Sequence, residues 1–514
     1  MKKGIVLILI MVVFGLNSFS QNTAKATWSP TYKMPSKLST YIVGEDETGF
    51  YVLRSQRRAS KGIVLEKFDK KMNLVFSEQQ EMPKKDKKPL LFEDIILLNK
   101  QLVLLASFDD MKSKKSFAFA YPIDSKGRIG NKFKVLDERS NEGKRTTSFD
   151  FQLSKDTTKL LVYYNPPFDK YNEEEFKYKV FDNNLNLIWE KEIKLPYKDK
   201  LFSIEDYIVD NDANVYMLAK ILPDRTKGEK EKKTEQAKKF IILSYTHKSK
   251  EFKQYEIKLK DKWVESINYD LNQNLNQLII GGFYSNNNKM DINGLFYMSI
   301  DLQSGDVKQT SKKEFDKDFM SEMVGEKKAD KGKGLSEFYF DYFFAKKDGG
   351  AYIVAEQYYI TTITTTDSKG NTHTRYVYHY NDIIVASINP KGEIDWMKKI
   401  PKKSADGSGY YLSYAINHNK EKDNLNIVFN DNPKNIELYK KNPNKLTNVG
   451  NLKKSVAMWV SLNSEGNMKR VPLFTAKELD KIILQPKTHM RSENDITVYG
   501  IRGKEYKFGK ISFK

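Results

Sequence analysis

The 514-residue chain contains no cysteine, so disulfides cannot hold it and it cannot be acylated as a lipoprotein. Only 15 residues are proline, which argues against a disordered or collagen-like chain. There is no G-x-S-x-G, P-loop or Rossmann fingerprint, and the five histidines form no H-x-x-x-H or H-E-x-x-H pair. We therefore expect neither a cofactor nor a metal ion. The lack of a catalytic motif favours a protein without enzymatic activity. Activity stays open, because a glycosidase carboxylate pair is recognised only by its geometry.

Residues 1–20 have the pattern of a bacterial secretory signal peptide. Two lysines precede an apolar stretch, 5–16, that is too short to span a bilayer comfortably. Small residues at the −3 and −1 positions predict cleavage after Ser20, and an uncleaved membrane anchor is the alternative. No later segment resembles a transmembrane helix. We therefore expect a periplasmic, secreted or cell-surface protein that does not span the membrane.

Lysine and arginine total 87 against 67 aspartates and glutamates, which gives a formal net charge of +20. The excess is mostly lysine dispersed along the chain, a distribution typical of a solvated surface with protected strand edges. The alternative is an anionic partner such as an acidic protein, a polysaccharide or lipid head groups. Nucleic acid is not expected as a partner, because an exported protein rarely meets it.

A repeated unit appears when the apolar runs are aligned. Each unit opens with an apolar strand, a polar turn and a second apolar strand. Eight such turns with their second strands lie at 45–53, 98–106, 155–163, 210–219, 272–282, 346–356, 420–429 and 491–500. In six units a later hairpin follows, in which an Asx residue ends a strand: Asp69, Asp124, Asp182, Asp301, Asn389 and Asn463. Asx side chains cap such turns, and a following glycine supplies a positive φ.

Four strands per unit at this spacing predict an all-β fold, a β-propeller of four-stranded blades. Seven units are complete and the last has three strands, so we expect Thr27–Met34 to pair with it and close the ring. Eight blades are favoured, and a seven-bladed ring with one decorating unit is the alternative. Residues 21–514 are expected to form this single domain. The repeat shape resembles the broad class of bacterial exported propellers, without the WD, kelch or Asp-box motif of a specific family.

Loop lengths predict that the two faces of this propeller differ. The turns between first and second strands, and between third and fourth strands, are all short. The long segments lie between second and third strands or between blades: 165–173, 223–238, 359–379, 431–454, 82–89, 137–147, 312–335 and 401–409. Antiparallel geometry places all of these on one face, and long loops on a rigid scaffold usually carry binding. Insertions tolerated without a function are the alternative.

Two insertions supply the candidate binding residues. Residues 356–383 predict a hairpin that stands off the disc, with five tyrosines near its base: Tyr358, Tyr359, Tyr376, Tyr378 and Tyr380. Tyrosines on exposed strands suit protein or glycan contact, but packing of the hairpin onto the neighbouring loops is favoured over such a contact. In 311–334, Phe315, Phe319 and Met323 recur at helical spacing. A short amphipathic helix there would cap its own ring or dock a partner, and capping is favoured.

The segment 210–214 has the alternating oxygen ligands that begin a calcium loop, but it lacks the glycine and distal glutamate. An ordinary Asx turn is favoured there. Together these features predict an exported scaffold that binds another envelope protein through the long-loop face, as an accessory subunit of an envelope or outer-membrane translocon assembly. A glycan-binding protein or propeller-type carbohydrate-active enzyme is the alternative. A structural repeat protein without a ligand is the third hypothesis.

Overall fold

The computed structural model describes residues 23–34, 39–55, 62–141, 148–165, 172–222, 239–248, 251–287 and 291–514. They form eight antiparallel sheets, each with four principal strands, and the innermost strands of neighbouring sheets meet around a central axis. The chain is therefore a β-propeller of eight blades, as the repeat predicts. The signal peptide predicted for 1–20 and the loop predicted for 223–238 lie outside the described residues.

Each blade runs from the axis to the rim. The innermost strands of blades 1 to 8 are Ser39–Asp46, Leu91–Leu98, Ser148–Leu153, Phe202–Val209, Trp263–Asn272, Phe338–Ala345, Tyr414–Asn419 and Ile483–Arg491. The second strands are Gly49–Ser55, Gln101–Asp110, Leu160–Asn165, Val215–Ile221, Gln277–Ser285, Ala351–Thr366, Asn424–Asp431 and Asp495–Arg502. The third strands are Ile63–Asp69, Lys115–Pro122, Glu173–Phe181, Lys239–Thr246, Gly294–Asp301, Thr372–Ile388, Val456–Leu462 and Glu505–Phe513. The outermost strands of blades 1 to 7 are Leu74–Gln80, Lys134–Ser140, Leu187–Lys198, Glu251–Ile257, Val307–Glu314, Ile394–Ile400 and Met468–Thr475.

The beginning of the chain supplies the outermost strand of blade 8. Ala24–Trp28 pairs antiparallel with Glu505–Phe513, as the predicted closure requires. The strand lies slightly earlier than Thr27–Met34, because Pro30 has no N–H to donate to the sheet and ends it. Tyr32–Lys33 then makes a second, short pairing with the same partner strand. This pairing covers the backbone edge of Glu505–Phe513, which would otherwise be open.

The six predicted Asx residues end their strands in capped turns. Oδ1 of Asp69 accepts the N–H groups of Lys71 and Asn73 at 2.9 and 2.8 Å. A similar pair of backbone donors bonds to each of the other five: Asp124, Asp182, Asp301, Asn389 and Asn463. In the turns of blades 1 and 3 the left-handed position falls on Met72 and Leu185, with φ 63° and 61°, where blades 2, 5, 6 and 7 place a glycine.

The core lies between the blades, where the faces of adjacent sheets pack together. The second strands of blades 1 and 7 have no exposed residue along their whole length. Among the buried polar groups, Arg54 of blade 1 pairs with Glu66 at 3.0 Å and lies over the ring of Tyr506, 4.2 Å from its centroid. Because Tyr506 belongs to blade 8, this cluster connects the two blades on either side of the closure.

The remaining elements lie in or next to connections predicted to be long, except Asp199–Leu201, which lies in the link between blades 3 and 4. Three helices are present among the described residues: α1, Lys317–Val324, α2, Glu326–Ala329, and α3, Asn435–Lys441. Single 3-10 turns lie at Asp199–Leu201, Gly409–Tyr411 and Leu452–Lys454, and short strands at Lys84–Lys85, Lys88–Pro89 and Ser404–Asp406. All of them connect second to third strands or successive blades, so they share one face. We call it the long-loop face, and the opposite one the short-turn face.

Candidate functional site

The largest projection of the long-loop face is a two-stranded ribbon formed by the second and third strands of blade 6. These strands, Ala351–Thr366 and Thr372–Ile388, are the longest in the described chain and run far beyond the rest of their sheet. Their tip is another capped turn, in which Oδ1 of Asp367 accepts the N–H groups of Lys369 and Asn371, both at 2.9 Å. The hairpin predicted for 356–383 is therefore present.

The base of the ribbon is anchored to the disc on both edges. The N–H of Tyr358 donates to the carbonyl of Glu337 at 2.8 Å, and Ser404–Asp406 pairs with the third strand at 378–380. Beyond this base, Tyr359–Thr366 pairs only with the opposite arm of the ribbon among the described residues. The outer half of the ribbon therefore presents unpaired strand edges to solvent.

A buried ion pair lies directly beneath the ribbon. Lys402 Nζ contacts Glu356 Oε1 at 2.9 Å and donates to the carbonyl of Tyr380 at 2.7 Å, while the hydroxyl of Ser413 donates to Glu356 Oε2 at 2.6 Å. Burial raises the pKa of Glu356 and lowers the pKa of Lys402, although each charge opposes the shift in its partner. The pair joins blade 6 to the link that leads into blade 7, and it fixes the third strand where the ribbon leaves the disc.

Cross-strand register separates the predicted tyrosines onto the two sides of the ribbon. Residues directly opposite each other share a side. Tyr358 faces Tyr380, with ring centroids 4.7 Å apart, and Tyr378 and Tyr376 follow on that side. Tyr359 lies on the other side, where it stacks on His379 at 4.4 Å. The structure thus brings four of the five tyrosines onto one surface.

That surface is larger than the sequence indicated. Three further apolar side chains belong to it or adjoin it: Tyr339, whose ring lies 5.6 Å from that of Tyr358, Ile360, which is paired with Tyr378, and Tyr410. Tyr410 follows Gly409, whose added Cβ would lie 3.3 Å from the Tyr380 ring. Exposed fractions are 56% for Tyr339 and Tyr376, 47% for Ile360 and 73% for Tyr410. We call these residues, with Tyr358, Tyr378 and Tyr380, the tyrosine surface.

Phe315 and Phe319, the other two candidate binding residues, do not lie on the surface. Helix α1 forms as their spacing predicts, with Asp316 Oδ1 accepting the N–H of Phe319 at 2.7 Å as the N-cap. Both rings, however, are buried against Phe283 and Phe343 in the core between blades 5 and 6. Their apolar side caps the chain's own ring, so a partner at this insertion cannot contact them.

A cavity of about 470 Å³ with charged walls lies between the base of the ribbon, helix α1 and the loop that follows helix α3. Its cationic lining residues are Lys399, Lys402 and Lys403. Lys399 is paired with Asp382 at 3.3 Å, and Lys402 with Glu356. Lys403 is exposed and has no carboxylate within ion-pair distance among the described residues. The foot of the tyrosine surface therefore carries a cation, Lys403, that has no ion-pair partner in the described structure, in a cavity that the acidic residues Glu322 and Asp382 also line.

The calcium-like segment 210–214 and the histidines of the ribbon make ordinary structural contacts. Oδ1 of Asp210 accepts the N–H groups of Asp212 and Asn214 at 2.9 and 2.8 Å, so its turn is an Asx turn. On the ribbon, His379 contacts Thr361 and His373 contacts Asp367. Over the part of the chain that the structure describes, no cluster of three or more histidine, aspartate or glutamate side chains could hold a metal ion. No helix within that part is both long and apolar enough to cross a membrane.

No family model and no curated protein matches the sequence. Among solved structures, the chain is similar to the WD40 domain of SCAP from fission yeast, at 7% identity and a TM-score of 0.41 over 95% of this chain and 98% of that one. The chain is also similar to the β-propeller domain of the Trilobed protease from Pyrococcus furiosus, at 10% identity and a TM-score of 0.34 over 85% of this chain and 96% of that one. A member of the DUF4221 family from Bacteroides vulgatus is similar at 11% identity and a TM-score of 0.33, over 96% of this chain and 99% of that one. Because all three TM-scores are low, the fold is assigned from the eight sheets themselves.

Proposed function

We propose that this chain is an exported protein-interaction scaffold that binds another cell-envelope protein through the tyrosine surface. Its place would be that of an accessory subunit in an envelope or outer-membrane translocon assembly. The signal-peptide pattern at 1–20 supports export, and the ribbon on the long-loop face supports binding. The ribbon is the observation that carries the proposal.

An isolated two-stranded ribbon is only marginally stable in water, because one side of each strand lacks partners and neither face is buried. Natural proteins usually protect a long exposed edge with charge, proline or a covering element. The arm Tyr359–Thr366 contains neither charge nor proline, and Ile360 and Ile363 on it are exposed. A partner that adds an extended segment to this edge would satisfy its backbone groups and cover the tyrosine surface.

The charge around the ribbon indicates the chemistry of that segment. Lys369 and Arg375 lie towards the tip, Lys403 lies at the foot, and the whole chain carries +20. A segment with acidic side chains between apolar ones would meet complementary charge at both ends. Aromatic residues at the centre of a contact commonly supply most of its binding energy, at 2 kcal/mol or more each, which is about a thirtyfold change in affinity.

The test is capture of the partner by the tagged full-length chain from solubilised envelope, with a photo-crosslinker at Thr362. The proposal expects the crosslinked protein and the captured protein to be the same. The double variant Ile360→Asp with Tyr376→Asp should lose both the crosslink and the capture of the partner. Its control, Thr361→Asp with Thr365→Asp, adds the same charge on the other side of the same ribbon and should retain most capture.

Two outcomes would contradict the proposal. One is unchanged capture after 359–377 is replaced by a short Gly-Ser turn in a chain that still folds, as judged by circular dichroism. The other is an N-terminus that begins at Met1 on the protein isolated from cells, since export requires processing near Ser20.

A further inference from the structure

A second cavity, on the opposite face from the ribbon, lies at the mouth of the central channel. Its volume is about 830 Å³, within the range of about 300–1,000 Å³ that is usual for small-molecule sites. Five blades contribute to its wall: Lys155 of blade 3, 268–274 of blade 5, 341–347 of blade 6, 418–421 of blade 7 and 491–493 of blade 8. Because the inner strands of these blades end here, the cavity is rigidly framed.

Most carboxylates of this cavity are already neutralised by neighbouring lysines. Asp270 is paired with Lys155, and Glu421 with Lys347. Asp341 contacts Lys487 at 3.2 Å and accepts the hydroxyl of Tyr414 at 2.9 Å. These carboxylates are therefore fixed structural groups, and none of the three is free to act as an acid or base towards a ligand.

Two cations of the same cavity lack such a partner. Neither Lys420 nor Arg491 has a carboxylate within ion-pair distance in the described part of the chain. Burial, and after it the charge of Lys155, lowers the pKa of Lys420. The guanidinium of Arg491 lies over Tyr342 and Phe344, 5.5 and 5.3 Å from their ring centroids. The positive charges of Lys420 and Arg491 are thus held at the mouth without a direct ion pair among the described residues, while Asp270 acts on Lys420 from a distance and the carboxylate of Glu493 lines the same opening.

Neutral and acidic polar groups line the same opening. Gln273 and Asn274 lie in the exposed turn of blade 5, and Glu493 lies in the turn of blade 8. Amides both donate and accept hydrogen bonds, and a carboxylate accepts them, so the three suit the hydroxyl groups of a ligand. The combination of two free cations with hydroxyl-binding groups is more specific than an anion site alone.

We propose that this axial cavity binds a hydroxylated carboxylate of the uronic-acid class. The ligand's carboxylate would lie between Lys420 and Arg491, and its hydroxyl groups would bond to Gln273, Asn274 and Glu493. Bonds of this kind between charged groups are the stronger hydrogen bonds of proteins. The proposal is independent of the ribbon, which lies on the other face of the disc.

Calorimetric titration of the full chain with D-galacturonate tests it, with D-galactose and inorganic phosphate as comparison probes. We expect galacturonate to bind at least tenfold more tightly than either, since galactose lacks the charge and phosphate lacks the hydroxyl pattern. Equal binding of phosphate would overturn the uronic-acid assignment. No heat from any probe, or equal binding of galactose, would overturn the site altogether.

Variants then locate the binding. Lys420→Gln and Arg491→Gln should each weaken galacturonate binding about tenfold or more, because each removes a charge-assisted bond. Lys422→Gln removes the same charge two residues along the same turn, outside the cavity, and should leave binding within about twofold. If Arg491→Gln does not fold, Lys420→Gln decides the question, because its side chain makes no ion pair in the described structure. Equal losses in Lys420→Gln and Lys422→Gln would show a diffuse charge effect and refute the site.

Discussion

Substituting Lys402 by methionine should destabilise the protein strongly and in a pH-dependent way. The side chains of Lys402 and Glu356 are 0% and 2% exposed, and they lie 2.9 Å apart. Methionine fills a similar volume but leaves the carboxylate with the Ser413 hydroxyl as its remaining partner among the described residues. Removing one member of a buried pair costs about 3–5 kcal/mol, because the other charge stays buried without compensation.

The pH dependence follows from the carboxyl group that remains. Burial already raises the pKa of Glu356 above its usual value of 4.5, and loss of Lys402 must raise it further. A folded chain that binds this proton more tightly than the unfolded chain gains stability as pH falls through the interval between the two pKa values. The Lys402→Met variant should therefore be closer to wild type at pH 5 than at pH 8.

Urea unfolding followed by tryptophan fluorescence at both pH values measures the effect. Lys403→Met, which alters the next and exposed residue, should be nearly neutral at either pH. The double variant Lys402→Met with Glu356→Gln should recover much of the loss, since no charge then remains buried. A Lys402→Met loss below about 1 kcal/mol, or an equal loss at pH 5 and pH 8, would refute the assignment of a buried pair.

Three further outcomes are expected. In Gly466→Ala the added Cβ would lie 2.7 Å from the Trp396 ring, so urea unfolding should show a loss of about 1–3 kcal/mol in the free energy of unfolding. Gly503→Ala should lose less, because Gly503 has a similar φ but open space around it. Trp28→Ala should cost about 2 kcal/mol and speed amide exchange selectively in the closing strand; uniform exchange along the chain would contradict its role there. Burial lowers the pKa of His489 from 6.5 to about 4, so wild-type stability should fall as pH drops from 6.5 towards 4, by up to about 3 kcal/mol. His489→Gln should remove that fall, and an unchanged pH profile would show that other groups cause it.

The fold could be predicted from the sequence because local chemistry repeats in every blade. The Asx residues at the strand ends determine where each outer hairpin turns, and the structure shows their side chains bonded to the turn backbone. Closure was predicted for the same reason, from a last unit one strand short. The exact bounds of the closing strand were not predicted, because the apolar pattern continues past Trp28 and only Pro30 interrupts it.

The candidate sites were harder to predict because their residues meet only in space. The spacing of Phe315 and Phe319 predicts a helix correctly, but an amphipathic face has the same spacing whether it covers its own core or a partner. Tyr339 joins the tyrosine surface from the innermost strand of blade 6 and Tyr410 from the link between blades 6 and 7, so no local pattern connects them with the ribbon. Lys420 and Arg491 likewise come from different blades and meet only at the axis.

Pairing of the two chain ends has a consequence for how the ring could be re-engineered. Thr23 and Lys514 exchange backbone hydrogen bonds in both directions, at 3.2 and 2.8 Å, so a short linker could join them without disturbing blade 8. A circular permutant opened instead at an exposed outer turn, such as the one after Asn463, would keep every strand pairing. The blade assembled from distant parts of the chain would then be blade 7 instead of blade 8. Which blade is assembled from both ends of the chain thus depends on chain connectivity, and the eight-bladed architecture does not require it to be blade 8.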